Sequence, residues 1–149
     1  MLPTTTRIPQ VIDRLIALHQ DATGYQVTDG AHVGELDHRA IAVGLSVGSR
    51  MGYTAKTSAQ ADLGRTRYRE AWEVTCFLSI MSGGTDMKPL RDEAGEKLGA
   101  LAVALSDLGV VASVWDRATL GDTAEWVPEQ AETGAIMSVL YTVEGVSLL

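Results

Sequence analysis

Between Met87 and Leu108 the apolar residues keep a helical beat. Met87, Leu90, Ala94, Leu98, Leu101, Leu105 and Leu108 stand at intervals of 3, 4, 4, 3, 4 and 3. A stripe with that spacing covers one side of an α-helix. Arg91, Asp92, Glu93, Glu96 and Lys97 fall off it. A helix with one apolar stripe needs one apolar surface to lie on, and the preceding segment offers it. In "REAWEVTCFLSIM", Trp72, Val74, Cys76, Leu78 and Ile80 alternate with Ala71, Glu73, Thr75, Phe77 and Ser79. A period of two is a strand, here apolar on one face and half polar on the other. Together the two segments predict a helix layer on a sheet.

The rest of the chain extends that plan. Thr4, Thr5 and Thr6 are candidate helix caps, and Pro9 suits a first helical turn. Ile8, Val11, Ile12, Leu15, Ile16 and Leu18 then predict a helix to about Gln20, with Gly24 ending the connection. "YQVTDG" predicts a short strand closed by the turn dipeptide Asp29-Gly30. "RAIAVGLSV" predicts another, with Ile41, Val43, Leu45 and Val47 on one face. Its other face carries Ala40, Ala42, Gly44 and Ser46, small enough to leave room for something packed close above. Gly109 is placed to cap the long helix, and "VVASVW" predicts a short strand after it. "DRATLGDTAEWVPEQAETG" reads as a loop-rich link with a short strand around Trp126. "AIMSVLYTVEGVSLL" is the final strand, alternating Met137, Val139, Tyr141 and Val143 against Ser138, Thr142 and Glu144. The expectation is one α+β domain over residues 1–149. Its sheet is mainly antiparallel or mixed, of four to five strands, with two helices on one face. Hydrophobic residues at 46% are enough for a core at this length.

Residues 46–68 break the pattern. "SVGSRMGYTAKTSAQADLGRTRY" is polar, carries glycines and has few large aliphatics. Loops of this length are uncommon in compact domains unless functional, so the segment is an extended loop or a hairpin arm. Its charge is distinctive. Arg50, Lys56, Arg65, Arg67 and Arg69 stand against Asp62 alone within residues 50–69, whereas the chain as a whole carries −7. Two readings are open: a solvated loop, or a basic arm that docks on a partner or on an acidic neighbour of its own kind. Self-docking of that sort suits a ring. These five cations are the candidate subunit or partner contact.

Nothing in the sequence predicts catalytic, cofactor-binding or metal-binding residues. "SGGTDMKPL" follows an apolar strand as a phosphate loop would, but it lacks Gly-Lys-Ser/Thr and puts Asp86 where a phosphate would sit. Thr85 or Asp86 as the N-cap of the long helix accounts for it. His19, His32 and His38 match no zinc spacing. His32 and His38 flank Glu35 and Asp37, which allows a weak surface metal site or, more simply, solvated loop residues. Cys76, the only cysteine, sits on the apolar strand face and reads as a small buried hydrophobe. Asp92, Glu93 and Glu96 read as the solvated face of the long helix or a subunit contact. No G-x-S-x-G is present. The acidic balance argues against a free-standing nucleic-acid binder. No apolar run approaches the ~20 residues of a membrane span, and "MLPTTTRIPQ" has no leader pattern. A soluble chain made in the cytoplasm is expected.

Several segments carry a family likeness. They are "IPQVIDRLIALHQ" followed by "YQVTDG", then "REAWEVTCFLSIMSGGTD" before an alanine- and leucine-rich helix, then "WDRATLGDTAEW" and "GAIMSVLYTVEGVSLL". In these the chain resembles the tail terminator proteins of long-tailed double-stranded DNA phages, especially those of actinobacterial hosts. Asp122 stands where that pattern would carry a second glycine after Leu120-Gly121, and residues 46–68 are the least matched segment. The resemblance implies a small α+β subunit that forms a hexameric ring in the virion. Such a ring ends growth of the tail tube at its head-proximal end and meets the neck or stopper protein of the head. DNA passes through its lumen without sequence-specific binding, and neither catalysis nor a cofactor is implied. A head-completion or other neck protein is the neighbouring alternative, and a small ligand-binding or enzymatic α+β domain is the alternative from another class.

The stripe makes the first prediction. Leu101→Ala is expected to cost roughly 2–5 kcal/mol of unfolding free energy, as a buried leucine does. A loss below about 1 kcal/mol in urea denaturation would place the stripe in solvent or at a subunit contact.

Overall fold

The computed structural model describes residues 6–62, 65–107 and 114–149. Its elements are α1 (Ile8–Thr23), β1 (Gln26–Asp29), β2 (Arg39–Val43), β3 (Tyr53–Asp62), β4 (Arg65–Ser82), α2 (Lys88–Ser106), β5 (Arg117–Leu120), β6 (Glu125–Ala131) and β7 (Gly134–Leu148). The fold is α+β: two helices pack on a mixed, largely antiparallel sheet of seven strands.

Two long strands form the spine of the sheet. β4 and β7 pair antiparallel over fourteen residues, from Arg69 opposite Leu148 to Ser82 opposite Ala135. Each spine strand carries two shorter strands end to end on its outer edge. On β4 these are β2, opposite residues 76–80, and β3, opposite residues 65–74. On β7 they are β5, opposite residues 143–146, and β6, opposite residues 134–140. β1 adds to β2 in parallel.

The alternation in β4 and the stripe in α2 meet as expected. Trp72, Val74, Cys76, Leu78 and Ile80 are buried on one face of β4, beside Met137, Val139, Tyr141 and Val143 of β7. Leu90, Ala94, Leu101 and Leu105 of α2 are buried in the same core, while Leu98 is only partly covered. Val11, Ile12, Leu15 and Leu18 of α1 complete it. α1 ends at Gly24, whose φ of 70° lets its N–H reach the Gln20 carbonyl.

Four expectations need correction. The sheet has seven strands, not four to five, because the 46–68 excursion is a strand pair and the 116–134 link holds two strands of its own. The strand expected over 39–47 stops at Val43, since Gly44 turns left-handed at φ 79° and the Tyr53 ring lies against it. Leu45 and Val47 therefore leave the core face. α2 begins at Lys88 with Met87 at its N-cap, so neither Thr85 nor Asp86 caps it. Asp86 instead accepts the Lys88 N–H across a two-residue turn. Val114 and Trp115 lie outside any strand. The Trp115 ring is buried against Trp72, 5.5 Å between centroids. Leu108, Gly109, the start of "VVASVW" and the candidate caps Thr4 and Thr5 fall outside the described residues.

Two buried polar ties fix α1 to the spine, and neither was expected. Glu70, buried at the start of the β4 core face, accepts the Arg7 N–H at 2.9 Å and the Thr6 hydroxyl at 2.5 Å. A carboxylate distant in sequence thus caps the N-terminus of α1, where it complements the helix dipole. Farther along the helix, the His19 Nδ1–H donates to the Leu15 carbonyl at 2.7 Å, and the Tyr141 hydroxyl donates to His19 Nε2 at 2.8 Å. Burial lowers the imidazole pKa to about 4 despite the opposing hydrogen bond to Leu15, so the ring is neutral and Nε2 is the acceptor.

That pKa lies below the ordinary value of 6.5. The unfolded chain takes up a proton as the pH falls through 6.5, and the folded chain resists until about 4. Stability is therefore complete above pH 6.5 and is lost as the pH drops toward 4, by about 3 kcal/mol from this group. Urea midpoints of the native chain are expected to fall more steeply between these limits than those of His19→Phe. Parallel pH profiles for the two proteins would refute a buried neutral His19.

Candidate assembly interface

The excursion is a hairpin arm. Its register runs from Tyr53 opposite Val74 to Asp62 opposite Arg65. β7 accompanies β4 only as far as Arg69, with one further bond from the Leu149 N–H to the Tyr68 carbonyl at 2.9 Å. Beyond that rung, residues 59–62 and 65–68 continue as a two-stranded ribbon. At ~3.3 Å per residue the overhang is roughly 13 Å long.

Alternation sorts the five candidate cations. Arg67 and Arg69 stand on the same face of β4 as Ala71 and Glu73, opposite to the helices. Lys56 is directly across from Ala71 and joins them, and all three are exposed. Arg65 pairs through its backbone with Asp62 near the end of the ribbon. Arg50 is separate, which corrects the grouping of all five as one contact. It lies on the loop before β3 and binds Glu125 at 3.2 Å, with both side chains half-exposed. That ion pair joins the 44–52 loop to the first residue of β6, just after the 121–124 loop, and the two loops approach from opposite edges of the sheet. Beneath them the Thr75 hydroxyl donates to the Met51 carbonyl at 2.9 Å, and Thr142 is buried against Gly121.

The open face near the arm carries both signs of charge. Glu73 and Glu144 are directly opposite one another, an unfavourable pair by itself. Lys56 and Arg117 stand one rung away, opposite Ala71 and Val146. They share a shallow depression of about 560 Å³ with the two glutamates, Thr54 and Thr119. At the other corner of the sheet lies β6, an outer edge whose seven residues are all exposed. Its charges are Glu125 and Glu129, with Glu132 in the turn that follows and no cation among them. Trp126 and Val127 expose 41% and 44% of their surface here.

The remaining candidate groups are structural. Burial pushes the Cys76 thiol up to about 12, so it is a core side chain and no nucleophile. Glu93 is not simply solvated. It receives both Arg39 nitrogens at 2.7 and 3.0 Å and the Tyr25 hydroxyl at 2.5 Å, tying α2 to the β1–β2 edge. The Arg39 guanidinium holds its carboxyl below the ordinary range. Asp92 pairs with Lys88 one turn earlier on the exposed side. Both His32 and His38 lie in the loop between β1 and β2, but both ring nitrogens of His32 are buried without a hydrogen-bond partner, so only His38 is the solvated loop residue expected. Among the described residues, no three His, Cys, Asp or Glu side chains are grouped to hold a metal, and no helix is long and apolar enough to cross a membrane.

No protein-family model matches the chain, and no curated protein matches it at a significant level. Sequence reasoning found the arm and its charge. It expected a short strand around Trp126 but not the acidic outer edge that strand forms, because a strand exposed on both faces has no apolar alternation to read. The run of glutamates around Pro128 was the available signal.

The arm's cations lie outside the subunit's core. Arg67→Glu combined with Arg69→Glu is expected to change the unfolding free energy by less than about 1 kcal/mol, the range of exposed charges. A larger loss in urea denaturation would make the ribbon part of the subunit's own fold.

Proposed function

We propose that the protein is a structural subunit of a phage tail. It forms a hexameric ring at the head-proximal end of the tail tube, stops tube polymerisation there, and joins the tail to the neck of the filled head. The observation that carries this reading is the ribbon of residues 59–62 and 65–68. It runs past the end of β7, beyond the strand that supports the rest of β4. A two-stranded ribbon is marginal in water by itself, and this one has few apolar side chains to bury. Its natural place is against another subunit. The specific role comes from the family likeness of the segments around it.

In such a ring each copy offers one surface to the next and receives a different one, so the contact repeats until rotation closes it. One rim matches the end of the tail tube and the other matches the neck, and the tube cannot add a further layer. With each copy carrying −7, the assembly repels DNA more than it binds it, which suits passage through a lumen.

Electron microscopy of the purified chain tests the proposal. Class averages are expected to contain sixfold rings with a central opening, and added protein is expected to arrest polymerisation of the cognate tail-tube protein. Monomers or twofold dimers, together with tubes of unaltered length, would overturn it.

A further inference from the structure

We infer that the ring closes through one head-to-tail contact, in which the basic arm of one copy lies against the acidic edge strand β6 of the next. This rests on the ring reading for the closure and on the surfaces themselves for the contact. Arg67 and Arg69 are exposed on the ribbon side of the sheet. Glu129 is exposed on β6, and Glu132 is exposed in the turn after it. The two surfaces occupy diagonally opposite corners: the ribbon leaves β4 at Arg69, whereas the middle of β6 is level with Ile80. That is eleven residues farther along β4, roughly 37 Å at ~3.4 Å per residue. On that geometry the arm of one copy does not reach its own β6.

Charge decides which edges meet. Two β6 strands side by side bring glutamates against glutamates, and two arms bring arginines against arginines. Both twofold arrangements are repelled, while arm against β6 is attracted. Complementary potentials of this kind fix register and exclude wrong partners. A contact that joins two different surfaces is heterologous, and heterologous contacts generate rings or filaments. The apolar side chains Trp126 and Val127, exposed on β6 just ahead of Glu129, give the contact something to bury.

The test is a charge swap on the whole chain, read by sedimentation at low salt. Arg67→Glu with Arg69→Glu is expected to weaken self-association by at least about tenfold, and so is Glu129→Lys with Glu132→Lys. Melting temperatures of both variants are checked against the native chain. The chain carrying all four changes is expected to associate again, because the arm is then acidic and the edge basic. Three results would overturn the inference: rings that persist in either half-swapped variant, a fourfold variant that does not recover, or a native chain that remains monomeric. Rings that persist in a half-swapped variant refute this contact and leave the ring reading standing. Recovery of association as open filaments or dimers leaves the contact standing and refutes the ring.

Discussion

The antiparallel pairing of β4 with β7 is the constraint on which the rest depends. Every other strand except β1 bonds to one of these two, and both helices cover their shared apolar face. A slip of one residue would turn that face outward, and a slip of two is blocked by particular rungs. Trp72 stands opposite Gly145, and its indole lies across the glycine. A Cβ at 145 would sit 2.1 Å from the ring. Moved by two residues, the indole would meet Val143 or Ser147 and lose that clearance. In the observed register its Nε1–H donates to Ser147 Oγ at 3.0 Å, and the Ser147 hydroxyl donates to the Val114 carbonyl at 2.8 Å. The register is therefore fixed by shape at one rung and by hydrogen bonding beside it.

Helix placement follows from polar groups that the spine presents within its apolar face. Apolar packing alone tolerates sliding, because many positions of a stripe bury similar area. Buried polar groups do not, since each left unpaired costs about 1–3 kcal/mol. Glu70 holds the first turn of α1, and Tyr141 holds His19 near its other end. One tie comes from β4 and the other from β7, so α1 is aligned to the spine pair as a unit. For α2 the tie at the far edge is partly exposed, Glu93 binding Arg39 of β2 and the Tyr25 hydroxyl.

Legibility in the sequence tracked periodicity. The β4 core face and the α2 stripe were read correctly because both bury one side against the same core. α1 was legible for the same reason. β5, at four residues, is too short for a pattern, and β6, exposed throughout, was read only as a short strand around Trp126. Glu70 was unreadable as a cap because its partner lies 63 residues away. It occupies a core-face position that alternation alone would have filled with an apolar side chain. Of the candidate interface, the charge of the arm was plain. Its form as loop or hairpin was left open, since Thr, Ala and Ser in alternation favour neither. The separate fate of Arg50 depended on Glu125, brought beside it only by the fold.

The face away from the helices explains why an arm exists at all. Thr75 and Thr142 form one rung of the spine, and there the edge strands on both sides are interrupted. The Gly44 and Leu45 N–H groups bond to the Thr75 carbonyl, and the Thr75 N–H bonds to the Gly52 carbonyl. The chain leaves the edge and returns to it at a single residue of β4. Gly52 allows the return because any Cβ there would meet the Gly44 carbonyl at 2.4 Å. On the other side the Gly121 N–H bonds to the Thr142 carbonyl as β5 gives way to the loop before β6. The two loops cover the middle of the face, and Arg50 of the first pairs with Glu125 where the second enters β6. β3 thus restarts along the same edge, heading toward the end of the sheet where β7 stops. With β4 running four residues beyond the last paired position of β7, β3 has a partner past the body of the subunit. The overhang follows from unequal strand lengths in the spine, and the cations sit where that inequality places them outside the subunit's own sheet.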